Sequence, residues 1–361
     1  MSPQGGEKIG HSQSIFFAQS LGYYLIIAVD QEIAKKNYSK YFLIAGIVGG
    51  VFTFLSFFVF LTYYYWQFSL SSGLGCQEIK NLYLAADLHS PREANLLILG
   101  LDQREADDGL LTDTLMAGFW RPKNNQATFI SLPRDLWLDE LKTKINALYY
   151  YGQKKDFDNK TNLLTLELEK ILGLRVDYYL VLDFEALAQI VDLLSGVEIE
   201  VERAFDDYYF PSDDGANGLT HLRFEAGWQT MDGKRVLEYV RSRKSDDPEE
   251  GTDEARIKRQ QKALLAMITK ISNPKFLFTS PKAVGSLYRY WQENVDTNIP
   301  VPLLVNIGAT YARQEMVLKF LSLPEEFLIN PPIGKYGLWV WEPVDKSWGE
   351  IREWVENKIS N

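Results

Sequence analysis

The stretch Asn95-Leu-Leu-Ile-Leu-Gly-Leu-Asp102-Gln-Arg104 decides how the fold is read. Its apolar run, residues 95–100, lies between Pro91 and Gly100 and predicts a buried strand. Working outward, residues 115–120 and 127–132 predict two more strands, joined by a turn through Arg121-Pro-Lys-Asn-Asn125. Helical patterns follow at 144–151 and 163–172, the second stopped by Gly173. Next come a short strand at 178–182, an amphipathic helix at 184–194 ended by Ser195-Gly196, and an alternating, half-exposed strand at 197–201. Helices are predicted at 231–240 and 253–271, each behind an acidic loop. Strands interleaved with helices argue an α/β protein, a three-layer α/β/α sandwich around a central mixed sheet.

Upstream of this domain, residues 41–66, YFLIAGIVGGVFTFLSFFVFLTYYYW, run without a charge. At about 1.5 Å per residue that length crosses a hydrocarbon core of roughly 30 Å. The aromatic cluster Tyr63-Tyr64-Tyr65-Trp66 suits one interface. Lys35, Lys36 and Lys40 precede the span, and the other flank has no charge until Glu78. The positive-inside rule then predicts a single-pass cell-membrane protein: 1–40 cytoplasmic, 41–66 transmembrane, 67–94 a stalk or linker, 95–361 an extracytoplasmic domain. A second apolar stretch, 14–29, is short for a span and reads as an interfacial helix.

A net charge of −10 excludes a nucleic-acid partner on bulk electrostatics, yet leaves room for a local arginine cluster that binds an anion. Cys76 is the one cysteine, so no intrachain disulfide forms, and three scattered histidines make no zinc constellation. No G-x-S-x-G elbow, Walker loop or HExxH occurs, which removes the common hydrolase, P-loop and zinc-protease readings.

The polar residues at strand ends carry the chemistry. Asp102 and Arg104 follow the first strand, Asp113 precedes the second, and Arg134-Asp135 follows the third. Ligands of open α/β sheets bind beyond strand ends, and two carboxylates there suit Mg²⁺ completed by waters and phosphate oxygens. Two solvated loop acids fit the same residues equally well. Farther on, Arg241 and Arg243 end one helix, while Arg256 and Arg259 lie three apart on the next and share a face. Converging guanidinium forks match a pyrophosphate. A solvated basic face paired with the acids of 245–254 is the more ordinary alternative. Phe184, Leu187 and Ile190 read first as a core-facing stripe and second as a slot for an apolar chain.

Taken in order, these pieces resemble the LytR-CpsA-Psr family. The residues concerned are Asn95 through Asp102 and Arg104, Thr112-Asp113-Thr114, Ser131-Leu-Pro-Arg134-Asp135 and Lys144-Ile-Asn146-Ala147. Downstream, Met231-Asp-Gly233 with Leu237-Glu-Tyr-Val-Arg241-Ser-Arg243, and Asp253 with Arg256-Ile-Lys-Arg259-Gln260-Gln261, resemble its arginine-rich signature. The resemblance covers 95–273 and implies an Mg²⁺-dependent glycopolymer phosphotransferase. Such an enzyme moves a polymer from a polyprenyl pyrophosphate carrier to peptidoglycan or another cell-envelope acceptor. It implies that Asp102 and Asp113 hold the metal and that Arg134, Arg241 and Arg243 act on the pyrophosphate. Arg104, Lys144, Arg256, Arg259 and Gln260 fall among its substrate-binding positions. Two departures stand out: Leu111 occupies the place of a usual arginine, and the acidic insertion between Arg243 and Asp253 is long. Two alternatives stand beside transfer: a non-catalytic polyprenyl-phosphate sensor, which the missing arginine at Leu111 favours, and a hydrolase of the lipid-linked pyrophosphate that uses the same site with water as acceptor.

Overall fold

The computed structural model describes residues 10–88, 93–102, 111–154, 161–211, 218–313 and 316–360. They fall in two compact units, residues 1–65 and 66–361. One helix, α1 (Gly10–Ser72), runs through the first and into the second. The apolar stretch 14–29, expected as a separate interfacial helix, continues into the expected span without a break. Within α1, Lys40–Ser72 is long and apolar enough to cross a membrane, with none of its most apolar window buried in the protein. A helix that is apolar all round is ordinarily covered, by other protein or by a bilayer. The expected linker 67–94 is largely helical. It holds the end of α1 and then α2 (Cys76–Leu88), which packs on a helix near the C-terminus.

The second unit is built on a six-stranded sheet. β1 (Ala94–Asp102), β2 (Leu111–Arg121) and β3 (Gln126–Ser131) form an antiparallel meander. A two-stranded ribbon, β4 (Trp137–Leu138) and β5 (Thr143–Lys144), leads to α3 (Leu148–Lys154) and α4 (Asn162–Leu172). β6 (Tyr178–Asp183) then returns parallel to β1 and feeds α5 (Phe184–Leu193). After β7 (Val197–Val201), a hairpin of β8 (Phe205–Pro211) and β9 (Leu219–Phe224) precedes β10 (Gly227–Met231), which pairs back on β7. Helices α6 (Gly233–Arg241), α7 (Asp253–Ile271), α8 (Pro274–Thr279) and α9 (Pro281–Asn294) follow. β11 (Asp296–Thr297), α10 (Val301–Ala312), β12 (Val317–Ser322) and α11 (Gly349–Ser360) complete the chain. The strand order is β11-β6-β1-β2-β3-β12, a mixed sheet.

Strand alternation splits the core between the two faces of this sheet. Leu97, Leu99 and Leu101 face α4 and α11, joining Leu164, Leu168, Ile351 and Val355. Ile98 of the same strand faces the other way, with Met116, Phe129, Leu303 and Leu264. The result is the expected three-layer sandwich. A third cluster joins α5, α6 and α7 to the β7–β10 ribbons beside the sheet.

The sequence reading passes over β8, β9 and β10, and it places two helix starts early. Lys144 lies in β5 rather than in a helix, with a 3-10 turn at Ile145–Ala147 before α3. Met231 ends β10, and α6 starts at Gly233 after Asp232, whose carboxylate accepts from the Arg235 N–H at 2.8 Å. That cap, with Asp192 accepting from the Gly233 N–H at 2.8 Å, fixes the helix origin. Gly233 is required there, because a Cβ would collide with the Ala188 carbonyl where α5 and α6 touch.

Candidate functional site

The site begins at an irregularity in the β1–β2 ladder. Gly100 pairs with Thr114 and Leu101 with Thr112, so Asp113 is the extra, bulged residue. A bulge re-aims a side chain out of the regular alternation, and here it aims Asp113 at three arginines. Arg134, just past β3, binds Asp113 Oδ1. Arg243, just past α6, donates from Nη2 to Oδ2 at 2.6 Å. Arg256, in the first turns of α7, brings Nη1 to 4.0 Å of the same oxygen. Burial pushes the Asp113 carboxyl up, but Arg134, Arg243 and Arg256 outweigh it and hold it below the usual carboxylate range.

Arg256 is the most deeply buried of the three arginines. Arg256 is 5% exposed at its side chain, and its Nε has no hydrogen-bond partner among the described residues. Burial first, and Arg243 second, pull its guanidinium down to about 10, still protonated at neutral pH. With Asp253 at 3.1 Å from Arg256 Nη2 and Asp135 at 3.4 Å from Arg134 Nε, three carboxylates meet three guanidiniums, and the buried Arg256 Nε–H is left as a donor that an incoming anion would satisfy.

Asp113, Arg243 and Arg256 line one wall of a cavity of about 310 Å³, which Arg134 does not reach. Its charged lining is Arg241, Arg243, Lys244 and Arg256 with the acids Asp113, Asp183 and Asp207, and Gln260 adds an amide. Its apolar part includes Ile98, Leu182, Phe184, Leu187, Leu264 and Met267. Arg241 lies over the Phe184 ring at 4.5 Å and the Phe210 ring at 5.3 Å, at the meeting of the two parts. Phe184 and Leu187 therefore face the cavity, whereas Ile190 of the same helix packs into the α5–α6–α7 core cluster.

Some expected residues lie elsewhere. Lys144 binds Asp135 at 2.6 Å, and Asp135 meets Arg134 Nε at 3.4 Å, so Lys144 acts one step behind the cavity. Arg259 does not line the cavity at all. It is 2% exposed, paired to Glu250 at 2.7 Å, and donates to the carbonyls of Tyr239 at 3.0 Å and Ser242 at 2.6 Å. Spacing of three along α7 puts Arg256 and Arg259 roughly on one side, but the sixty-degree offset per i,i+3 step is enough to send one to the cavity and the other to the end of α6. Arg104 and the side chain of Asp102 lie outside the described residues; the Asp102 backbone pairs with Leu111 at the cavity end of β1.

The residue that sequence reasoning missed is Asp207. It is 1% exposed and accepts from Ser242 Oγ at 2.7 Å, from Tyr209 N–H at 2.9 Å, and from the N–H groups of Arg243 and Lys244 at 3.2 Å each. Burial raises its pKa, and the Ser242 hydroxyl with the three N–H groups overcomes this and lowers it. The available signal was period two in Phe205-Asp-Asp207, which puts an acid on the buried face of an aromatic strand.

For a hard divalent cation the donor chemistry fits: Asp113 is an ionised carboxylate, close along the ladder to the end of β1 that carries Asp102. Among the described residues no group of three or more His, Cys, Asp or Glu forms a ready-made cage.

The structure is thus a mixed α/β sandwich with an arginine-lined, half-apolar cavity at a strand end. The family model LytR_cpsA_psr matches residues 76–356, and the chain belongs to the LytR-CpsA-Psr family. It is 29% identical over 221 residues to the polyisoprenyl-teichoic acid–peptidoglycan teichoic acid transferase TagU of Bacillus subtilis (strain 168). That match spans 60% of this chain and 63% of TagU. It is 30% identical over 236 residues to the regulatory protein MsrR of Staphylococcus aureus (strain Mu50), across 64% of each chain. The fold is shared with B. subtilis TagV, at a TM-score of 0.56 and 21% identity, covering 75% of this chain and 98% of that one. It is shared also with TagT bound to LI-WTA, at a TM-score of 0.51 and 20% identity, covering 75% and 92%.

Proposed function

We propose that this protein transfers a glycopolymer from a polyprenyl pyrophosphate carrier to peptidoglycan or another cell-envelope acceptor. The observation that carries the reading is the cavity itself, in which part-buried Arg241 and Arg243 and buried Arg256 adjoin an apolar lining. A prenyl pyrophosphate has the matching halves.

In this reading the pyrophosphate oxygens enter among Arg241, Arg243 and Arg256, with Gln260 as a further donor. They take over the guanidinium bonds that Asp113 now holds. Arg256 gains the acceptors its Nε lacks. The first prenyl units lie against Phe184, Leu187 and Met267. The acceptor hydroxyl oxygen bonds to the phosphorus that carries the glycan, the bond from that phosphorus to the bridging oxygen breaks, polyprenyl monophosphate leaves, and the hydroxyl proton ends in solvent. Positioning and charge stabilisation supply most of the catalysis of phosphoryl transfer, so no nucleophilic Ser or Cys is needed. Asp113 is held well ionised, which makes it an electrostatic partner and a weak base. Mg²⁺, held by Asp102 and Asp113, would neutralise charge on the pyrophosphate.

The apolar segment Lys40–Ser72 supports a single span, with residues 1–40 cytoplasmic because Lys35, Lys36 and Lys40 precede it and the main domain on the outer side. One experiment tests the whole reading. The full chain in vesicles receives a polyprenyl pyrophosphate glycan, Mg²⁺ and peptidoglycan. Polyprenyl monophosphate should appear together with glycan on the wall polymer, and both should vanish in Arg241→Ala/Arg243→Ala. Phosphate release without attachment would make it a hydrolase. Binding without release would make it a sensor, the alternative that exposed Leu111 in place of an arginine favours.

A further inference from the structure

We propose that Asp207 and Arg259 are positioning residues, a buried pair that clamps the end of α6 from opposite chemical sides and thereby aims Arg241 and Arg243 into the cavity. This rests on the pyrophosphate reading for its consequence, though not for its geometry.

A helix end leaves backbone carbonyls without partners, and the turn that follows must be held by something. In α6 no left-handed glycine does this: Ser242, the residue after the helix, has φ −56° and ψ 133°. Two charged side chains from distant elements do it instead. Arg259 of α7 donates from Nε to the Tyr239 carbonyl and from Nη2 to the Ser242 carbonyl. Its remaining nitrogen, Nη1, is anchored on the Glu250 carboxylate at 2.7 Å and the Glu250 carbonyl at 3.0 Å. Asp207 of β8 collects the groups that Arg259 cannot: the Ser242 hydroxyl and the N–H groups of Arg243 and Lys244. One cation holds carbonyls, one anion holds N–H groups, and both are about 98% shielded from water, where each such bond is strongest.

The consequence follows from the backbone between them. Ser242 is fully buried and points at Asp207. Ser242 has an extended backbone, and Arg241 and Arg243 on either side of it line the cavity at whose edge Asp207 lies. Arg243 thus has its N–H on Asp207 and its guanidinium on Asp113. Asp207 also accepts from the Tyr209 N–H, tying this turn to the β8 strand that forms the facing lining through Tyr209 and Phe210. Arg259 accordingly works behind the ligand rather than on it.

The test uses the full chain in detergent and geranylgeranyl pyrophosphate as the probe. Binding is measured for the wild type, Asp207→Asn, Arg243→Ala and the double variant, alongside deuterium exchange of the segment 241–244. Asp207→Asn should weaken binding about tenfold and speed exchange at Arg243 and Lys244, and in the Arg243→Ala background it should cost only about threefold, the part that passes through Arg241. Ser242→Ala, which removes one bond and leaves the fold safe, should show the same pattern on a smaller scale. Full additivity with Arg243→Ala, or unchanged binding and exchange in Asp207→Asn, would overturn the clamp. If the wild type binds no probe while Asp207→Asn and Ser242→Ala still free the 241–244 amides, the clamp stands and the pyrophosphate reading falls.

Discussion

The centre of the site is a carboxylate surrounded by cations, and its removal has two opposite effects. Asp113 neutralises part of the field of Arg134, Arg243 and Arg256. Replacing it by Asn takes a charge partner from Arg134, Arg243 and buried Arg256, of which Arg134 and Arg256 keep Asp135 and Asp253, and costs about 1–3 kcal/mol of stability. The same variant removes the competitor for phosphate. Asp113→Asn should therefore unfold at a lower temperature, bind inorganic pyrophosphate more tightly than the wild type without Mg²⁺, and fail to transfer; calorimetry and the vesicle assay check the three. Acid should act in the same sense on the fold. Asp113 and Asp207 both have folded pKa values below the ordinary one, so their stabilisation is complete above the unfolded value near 4 and is lost as pH falls through the folded values. In acid titrations of stability, Asp207→Asn and the wild type should differ above pH ~4 and converge below it. Leu111 is the opposite case. It is 40% exposed and two residues from Asp113, so a charge there carries little burial cost. Leu111→Arg should leave stability within about 0.5 kcal/mol and strengthen pyrophosphate binding by a few fold; unchanged binding would show that this position does not reach the ligand.

Elements deliver those residues, and the sequence was most readable where an element obeys one period. β7 alternates apolar and acidic and is recovered at both ends, and α7 runs from a Thr252 cap to Ile271 as its pattern demands. β1 and β2 are longer than their apolar runs because the ladder continues through the polar ends that carry Asp102 and Asp113. The β8–β9 hairpin escaped because acids and exposed tyrosines interrupt its alternation, and Asp207 escaped with it. Arg259 was misplaced for a related reason: helical spacing tells which face a residue shares, and not which neighbouring element ends against that face. Contact between α5 and α6 is another feature that no local pattern shows. Gly233 lets the helices touch, and they line the cavity with Phe184 and Leu187 from one and Arg241 from the other. Gly233→Ala should force them apart, at about 1–3 kcal/mol, and weaken geranylgeranyl pyrophosphate binding more than inorganic pyrophosphate binding. Equal losses for both ligands would mean that the apolar lining is not where the prenyl chain sits.

At the scale of the whole molecule, an acidic chain with a net charge of −10 keeps a cationic cluster by burying it beneath its own acids, and bulk composition conceals it. Only the order of the motifs along the chain disclosed that the cluster exists; its convergence on Asp113 depends on a bulge and two helix ends set by tertiary contacts. In the proposed reading the apolar segment Lys40–Ser72 is a membrane tether, which adds a different kind of control. A substrate confined to a bilayer meets a tethered enzyme at an effective concentration far above that of a free one, with gains of about 10²–10⁴ where the geometry allows both to engage. The tether leaves the chemistry of the cavity unchanged. A soluble short-prenyl pyrophosphate glycan should then be processed at similar rates by the full chain and by a version cleaved after Tyr65, the boundary of the second compact unit. On vesicles that carry the long-chain donor at the same bulk concentration, the cleaved protein should fall behind by at least tenfold. Loss on both substrates would show that the helix is part of the catalytic fold, and equal rates on both would remove the tether from the function.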